Sequence, residues 1–436
     1  MKDVFSAFLA LSFGFAAARG DARPPEADVS GFSARDEIAG LGEIEAPEAV
    51  DPWAGITQLF PSGEGFGEGR SPAPSLALVG EFALPDSAPE GLSGIAWRGA
   101  GGIAGWDDLY AFVEDSGGRL HSATIGIDRE TGAITNAVLS PAGAIPGAAD
   151  LEGVAAGLVP CPGAPGGAVS MLFASDERGP AIRAKASFDT SGPDWTALPL
   201  PSPLRRCRPN LALEALALSA DGRILWTANE GPLPEDGPEP TTKHGALIRL
   251  YGLPVCGFLS VPGPAFWFYE LDPATGTSFP HLPAPFNGLA ELCALPDGRL
   301  LALERSFGFR TRGDADPRGS LVTISIYLVD PLHADREESD DASGGRPTTS
   351  SAARQSGRAA ARPDCLAKTL LWRGLTGRAN YEGMTLGPEL ADGSRALILV
   401  ADGDVTRKGR LSFAWRKSLL SFRLALPRPA GPADFP

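Results

Sequence analysis

A chain of 436 residues, 43% of them apolar, is long enough for one large domain or two ordinary ones and can bury a real core. Its formal net charge of −15 repels phosphate backbones and anionic membranes, which excludes nucleic acid as an expected partner and favours cations. The 54 glycines and 41 prolines point to many turns and short strands rather than long helices.

In chain order, the first segment is MKDVFSAFLALSFGFAAARGDA. Lys2, the apolar run from Val4 to Ala18 and the small residues after it read as a secretory signal peptide over 1–18, with Asp3 as its one departure. The run is too short for a stable membrane span, and no later segment holds eighteen unbroken apolar residues. The expected location is therefore outside the cytoplasm, periplasmic or secreted. Residues 19–74, rich in Pro, Gly, Glu and Ala without periodicity, read as a disordered leader. The polar stretch 333–364 reads as a disordered insertion, and 426–436 as an unpacked tail. One folded body, 75–425, remains.

Inside that body five segments share one grammar: a short apolar strand, a turn, a second apolar strand and a polar cluster. They are GLSGIAW…DDLYAFVEDSGG (91–118), DLEGVA…SMLFASDERGP (150–180), LALEALALSADGRILWTANEGP (211–232), GLAELCALPDGRLLALERSFG (288–308) and NYEGMTLGPELADGSRALILVADGD (380–404). Asp-Gly at 221–222, 297–298 and 392–393 supplies the positive φ that tight hairpins need. With the Asp-Gly pair as the centre of each reversal, Glu291 faces Glu304. Glu214 faces Asn229, beside Glu230, and Glu382 faces Gly403, beside Asp402. In the second segment Glu152 and Asp176 hold the matching ends; in the first, Ser93 stands where the others have glutamate.

Repeated hairpin-led units predict an all-β fold, a β-propeller with five visible blades and room for a degenerate sixth. A sandwich needs no repeated acid, and a solenoid has shorter, stricter repeats. The outer strands are expected at 245–252, 320–330 and 366–373, with SLALVGEFAL (75–84) pairing with SLLSFRL (418–424) to close the ring.

In a propeller the first strands of the hairpins line the central channel. Glu152, Glu214, Glu291 and Glu382 then gather at one mouth, with Asp115, Asp176, Glu230, Glu304 and Asp402 just outside. Carboxylates held this close repel by several kcal/mol in a partly dry site. Calcium, which takes six to eight oxygens in loose geometry, is the natural neutraliser, and Arg178 and Arg305 share that task or hold an anion. The competing reading is structural: an acid at the start of a blade strand accepts N–H bonds from the next blade and locks the ring. Other chemistries find little support. His121, His244, His281 and His333 match no zinc spacing, and neither a G-x-S-x-G elbow nor a P-loop is present. Five cysteines, Cys161, Cys207, Cys256, Cys293 and Cys365, include no C-x-x-C pair. They allow one disulfide, such as Cys207 with Cys256, or five buried thiols.

The five motifs in this order resemble the phytase-like domain family, described as "esterase-like activity of phytase". The resemblance implies a propeller-like fold, an exported protein and a hydrolase of phosphate esters or other small anionic substrates, with calcium as its expected cofactor. On this reading Glu152, Asp176, Glu214, Glu291, Glu304, Glu382 and Asp402 are the candidate metal ligands. Glu230 is the candidate general base, and Arg305 and Arg178 are the candidate stabilisers of the transition state. The alternative is an exported, non-catalytic propeller that binds a ligand and uses its acids as ring locks.

Overall fold

The computed structural model describes residues 57–60 and 73–427, except 101–107, 141–142, 163, 188–193, 257–258, 261–264, 279–283, 310–321, 334–336, 339–363, 404 and 409–410. The proposed signal peptide, His281 and most of the 19–74 leader and 333–364 insertion lie outside these residues. The described chain forms five antiparallel sheets whose first strands adjoin in sequence and return to the start, a five-bladed β-propeller. No sixth blade occurs among the described residues.

Blade 1 runs outward from Leu92–Ala100 through Asp108–Glu114 and Arg119–Ile127 to Ile134–Leu139. Blade 2 comprises Leu151–Pro160, Ala168–Asp176, Ala181–Lys185 and Thr196–Leu198. Blade 3 comprises Leu213–Leu218, Ile224–Asn229, Ala246–Cys256 and Ala265–Leu271. Blade 4 comprises Phe286–Ala294, Leu300–Phe307, Val322–Val329 and Lys368–Gly377. Blade 5 uses Asn380–Glu389, Arg395–Asp402 and Ser418–Ala425, and its outermost strand is the N-terminal segment Ser75–Ala83, as expected. Two short pieces of the stretches read as disordered are ordered into strands. Thr57–Phe60 extends blade 4 along Lys368–Gly377, and Glu337–Glu338 pairs with Ala265 and Phe266.

The core is divided by the blades. Five apolar clusters fill the five blade interfaces, for example Tyr110, Phe112 and Leu92 against Ile398 and Val400 between blades 1 and 5. Between blades 4 and 5, Trp372 meets Phe422 edge-on with ring centroids 5.0 Å apart. Burying such aromatic and aliphatic faces on both sides of every sheet is the main stabilisation. A polar latch also joins blades 3 and 4. Glu304 accepts bonds from the Tyr269 hydroxyl (2.7 Å), Asn287 (2.7 Å), the Asp272 N–H (2.9 Å) and the Lys368 ammonium. Asp272 in turn pairs with Lys368 (2.8 Å) and Arg373 (2.6 Å). All five cysteines are free; Cys207 donates to the Leu204 carbonyl, so no Cys207–Cys256 bridge forms.

The hairpin registers differ from the sequence expectation for a physical reason. At the Asp-Gly turns, Gly222, Gly298 and Gly393 have φ of 69°, 88° and 83°, as the motif demands. In blades 4 and 5, however, Asp-Gly ends a three-residue loop, so Leu295 bonds to Arg299 and Leu390 to Ser394. A β-bulge then interrupts every inner strand near its start. Leu213 pairs with Asn229, Asn380 with Asp402 and Leu151 with Asp176, leaving Glu214, Glu382 and Glu152 unpaired on the bulges. Ser93 is bulged in blade 1. In blade 4 the bulged residue is Ala290; Glu291 pairs with Leu303, and Glu304 with Leu289. Glu291 and Glu304 are therefore not cross-strand partners.

The bulges bring neighbouring inner strands unusually close. A Cβ on Gly94 would lie 2.5 Å from the Glu152 carbonyl oxygen, one on Gly153 2.4 Å from that of Glu214, and one on Gly383 2.6 Å from that of Ser93. This explains the recurring Gly after the bulged residue. Gly153→Ala is expected to destabilise the protein by about 1–3 kcal/mol, because backbone rather than a pliable side chain must yield. Gly80→Ala, where nothing lies within 4 Å, should change stability by no more than about 0.5 kcal/mol. Chemical denaturation of both variants measures the contrast; equal effects would refute the close-approach account.

Candidate functional site

The inner strands begin, and the second strands end, at one mouth of the channel. A bulge turns its extra residue out of the ladder, so Ser93, Glu152, Glu214 and Glu382 are set at that mouth while the flanking residues stay paired. The second strands deliver Asp115, Asp176, Glu177, Glu230, Arg305 and Asp402. Asp150 and Asn380 stand at the entries to the inner strands of blades 2 and 5.

Eight carboxylates repel one another here: Asp115, Asp150, Glu152, Asp176, Glu177, Glu214, Glu230 and Glu382. Ligand oxygens of Asp150, Glu152 and Glu177 all lie within 4.8 Å of one another. The Ser93 hydroxyl donates to the Glu152 carboxylate across the blade 1–2 boundary. Glu177 accepts the Ala212 N–H at 2.8 Å across the blade 2–3 boundary. Arg305 of blade 4 reaches both ways, to Glu230 of blade 3 and to Glu382 of blade 5 (2.5 Å). Asn380 holds the pair from the side, bonding to Glu382 at 2.7 Å and accepting from Arg305 at 3.1 Å. Glu230 is 1% exposed, and its second carboxylate oxygen has no hydrogen-bond partner.

Burial is the largest cause of the shifted acidities. It pushes Glu152 and Glu214 well above the usual carboxylate range, and neighbouring carboxylates push them further. Burial raises Glu177 to about 8 despite the N–H bond from Ala212, and Glu382 to about 7 against the pull of Arg305. Burial also raises Asp150 to about 6, against the opposing Arg178, and raises Glu230 despite Arg305. A mouth with these acidities holds protons at neutral pH unless a cation replaces them.

Of the remaining sequence candidates, Glu291 and Glu304 stand away from the mouth, while Asp176, Asp402 and Arg178 lie at its edge with other partners. Glu291, one residue past its bulge, accepts N–H bonds from Leu216 of blade 3 (2.7 Å) and from Leu292 (2.9 Å). Burial raises its pKa well above the usual carboxylate range, with no carboxylate neighbour contributing. Glu304 belongs to the latch between blades 3 and 4. Asp176 accepts from Arg183 at 2.9 Å and from the Ala149 N–H at 3.2 Å. Asp402 is fully buried at the end of its strand. Arg178 lies 3.6 Å from Asp150, with its side chain 59% exposed at the rim. Asp150, Glu177 and Asn380 were not singled out from the sequence. Asp150 and Glu152 flank Leu151 in DLEG, the i, i+2 spacing of one strand face, and Glu177 follows Asp176 in the DER cluster. Those two patterns were the available signal.

Two predictions follow from this chemistry. Glu291→Ala leaves the Leu216 N–H unpaired and should cost about 1–3 kcal/mol, whereas Glu291→Gln keeps an acceptor oxygen and should cost far less. Thermal melts separate the two, and equal losses would sink the ring-lock role. The second concerns pH. Glu177 has an ordinary value of 4.5 and a folded value of about 8, so its contribution to stability is complete below 4.5 and is lost as pH rises through about 8. The melting temperature of chelator-treated protein should therefore fall over that window, and Glu177→Gln should flatten the fall. A pH-independent melt would contradict it.

Comparison with solved structures returns distant chains. "Crystal structure of an active polycomb repressive complex 2 in the basal state" includes a chain similar at 11% identity and TM-score 0.29, covering 76% of this chain and 68% of that one. A chain of "Kuenenia stuttgartiensis Hydrazine Synthase" is similar at 11% identity and TM-score 0.28, covering 72% and 77%. "Crystal structure of Myceliophteria_thermophila Cps50 (Swd1) beta-propeller domain" is similar at 12% identity and TM-score 0.26, covering 76% and 82%. No curated protein matches the chain. The model of the family "Phytase-like: Esterase-like activity of phytase" matches residues 89–405, the inner hairpins of all five blades among them, and the chain belongs to that phytase-like family.

Proposed function

We propose that this protein is an exported, calcium-assisted hydrolase of phosphate esters, with the carboxylate mouth as its site. The observation that carries the reading is the convergence of Asp150, Glu152 and Glu177 within 4.8 Å beside Glu230, whose buried second oxygen has no partner. The donor set is all oxygen and mostly carboxylate, which suits calcium and not zinc. Asp150, Glu152 and Glu177 would hold the ion, with Glu214 next to them. When bound, calcium supplies a Lewis acid that offsets the charge of a phosphoryl oxygen and acidifies water.

The chain's own groups do the rest. Glu230, whose proton affinity burial has raised, takes a proton from the attacking water through its free oxygen. Arg178, exposed beside Asp150, meets the incoming phosphate with a guanidinium fork. Arg305 is committed to Glu230 and Glu382, so it positions the base rather than touching substrate.

The non-catalytic reading has one observation in its favour. Glu291 and Glu177 both accept backbone N–H bonds from blade 3, which is what ring locks do. Purified protein assayed on a generic phosphodiester and on phytate, with calcium and with chelator, decides between them. Calcium-dependent turnover is expected. Glu177→Gln should weaken calcium by at least the roughly 10–100-fold seen when an outer partner of a metal is lost. Chelator-sensitive melting without turnover on either substrate would favour the binding module. Turnover that chelator leaves intact would remove calcium from the proposal.

A further inference from the structure

The mouth is compensated unevenly. On the side of blades 3 to 5, Glu230 and Glu382 are bridged by one guanidinium, which also acts on Glu214. Arg305 is 8% exposed, and a guanidinium taken this far from water is tolerated only with both carboxylates and Asn380 in place. Gly288 makes room for the arrangement: a Cβ there would lie 2.5 Å from the Glu230 side chain. On the side of blades 1 and 2, Asp150, Glu152 and Glu177 crowd together, and Arg178 stays at the exposed rim.

We propose that Arg305 is a built-in cation standing where a second divalent ion would otherwise sit, so that the mouth takes one divalent ion, on the Asp150–Glu152–Glu177 side, and not two. This rests on the calcium reading above. The chemistry is direct. Two carboxylates from the blades on either side of blade 4 and an amide oxygen converge on one guanidinium, a set of oxygens of the kind that binds a hard cation, and the guanidinium nitrogens already take their bonds. Arginine stays charged at every physiological pH and cannot be chelated, so this half of the ring keeps its neutralisation without metal.

Calcium stoichiometry measured by equilibrium dialysis and elemental analysis tests the idea. Wild type should bind one ion per chain. Arg305→Ala should bind two, and millimolar guanidinium should displace the second ion but not the first. A neutral triple variant, Arg305→Met with Glu230→Gln and Glu382→Gln, removes the bridge without stranding a charge. It should keep one ion with affinity within about twofold, and it decides alone if Arg305→Ala does not fold. Two ions in wild type, one ion in Arg305→Ala, or loss of the ion from the triple variant would each overturn the role of Arg305. Wild type that binds no ion at all overturns the calcium reading itself, so the two failures are distinct.

Discussion

Neighbouring inner strands meet so tightly at the mouth that the carbonyl of one takes the space a side chain would fill on the next. Glu152, Glu214 and Ser93 each present a carbonyl oxygen within 2.6 Å of where a Cβ would stand on Gly94, Gly153 or Gly383. That approach requires a bulge in each strand, and the bulge takes one residue per blade out of the ladder. Where that residue is glutamate, its charge lands at the channel mouth beside those of its neighbours. The geometry that closes the ring therefore also concentrates like charge, and the rest of the site answers that charge through raised proton affinity and the Arg305 bridge.

Two populations of acid result, and they differ in what they touch. Glu291 and Glu304 are satisfied by backbone N–H groups or basic side chains and hold blades together, while Asp176 is held within blade 2 by Arg183. Glu152, Glu214, Glu230 and Glu382 are dominated by burial and by charge, favourable or not, from the same mouth. The first population belongs to the scaffold; the second stores electrostatic strain that a ligand can relieve.

Much of the architecture was legible from the sequence. Five hairpins, their Asp-Gly turns and the pairing of 75–84 with 418–424 follow from local turn chemistry and repetition. The bulge was not legible, because counting outward from a turn assumes one residue opposite one. In blade 4 the three-residue loop separated Glu291 from Glu304, and the bulge beyond it put Ala290 where a fourth glutamate was expected. The partner of Glu304 was hidden for another reason: Lys368 lies beyond the long polar insertion, and only the folded sheet brings the two together. Glu177 was masked by the adjacent Asp176, since alternate residues of a strand face opposite sides and only one of such a pair can reach the mouth.

The strand Ser75–Ala83 completes the blade made by the last residues of the chain. Ring closure thus joins segments more than three hundred positions apart, the kind of contact that is slow to form because its entropy is paid before its reward arrives. The acids of the mouth come from every blade but the fourth, which contributes their arginine, so no partial ring holds the complete constellation. A ribosome-bound or truncated chain can build blades yet has no finished site. The last glutamate of the mouth, Glu382, belongs to blade 5, so a chain that stops before that blade lacks the complete cluster.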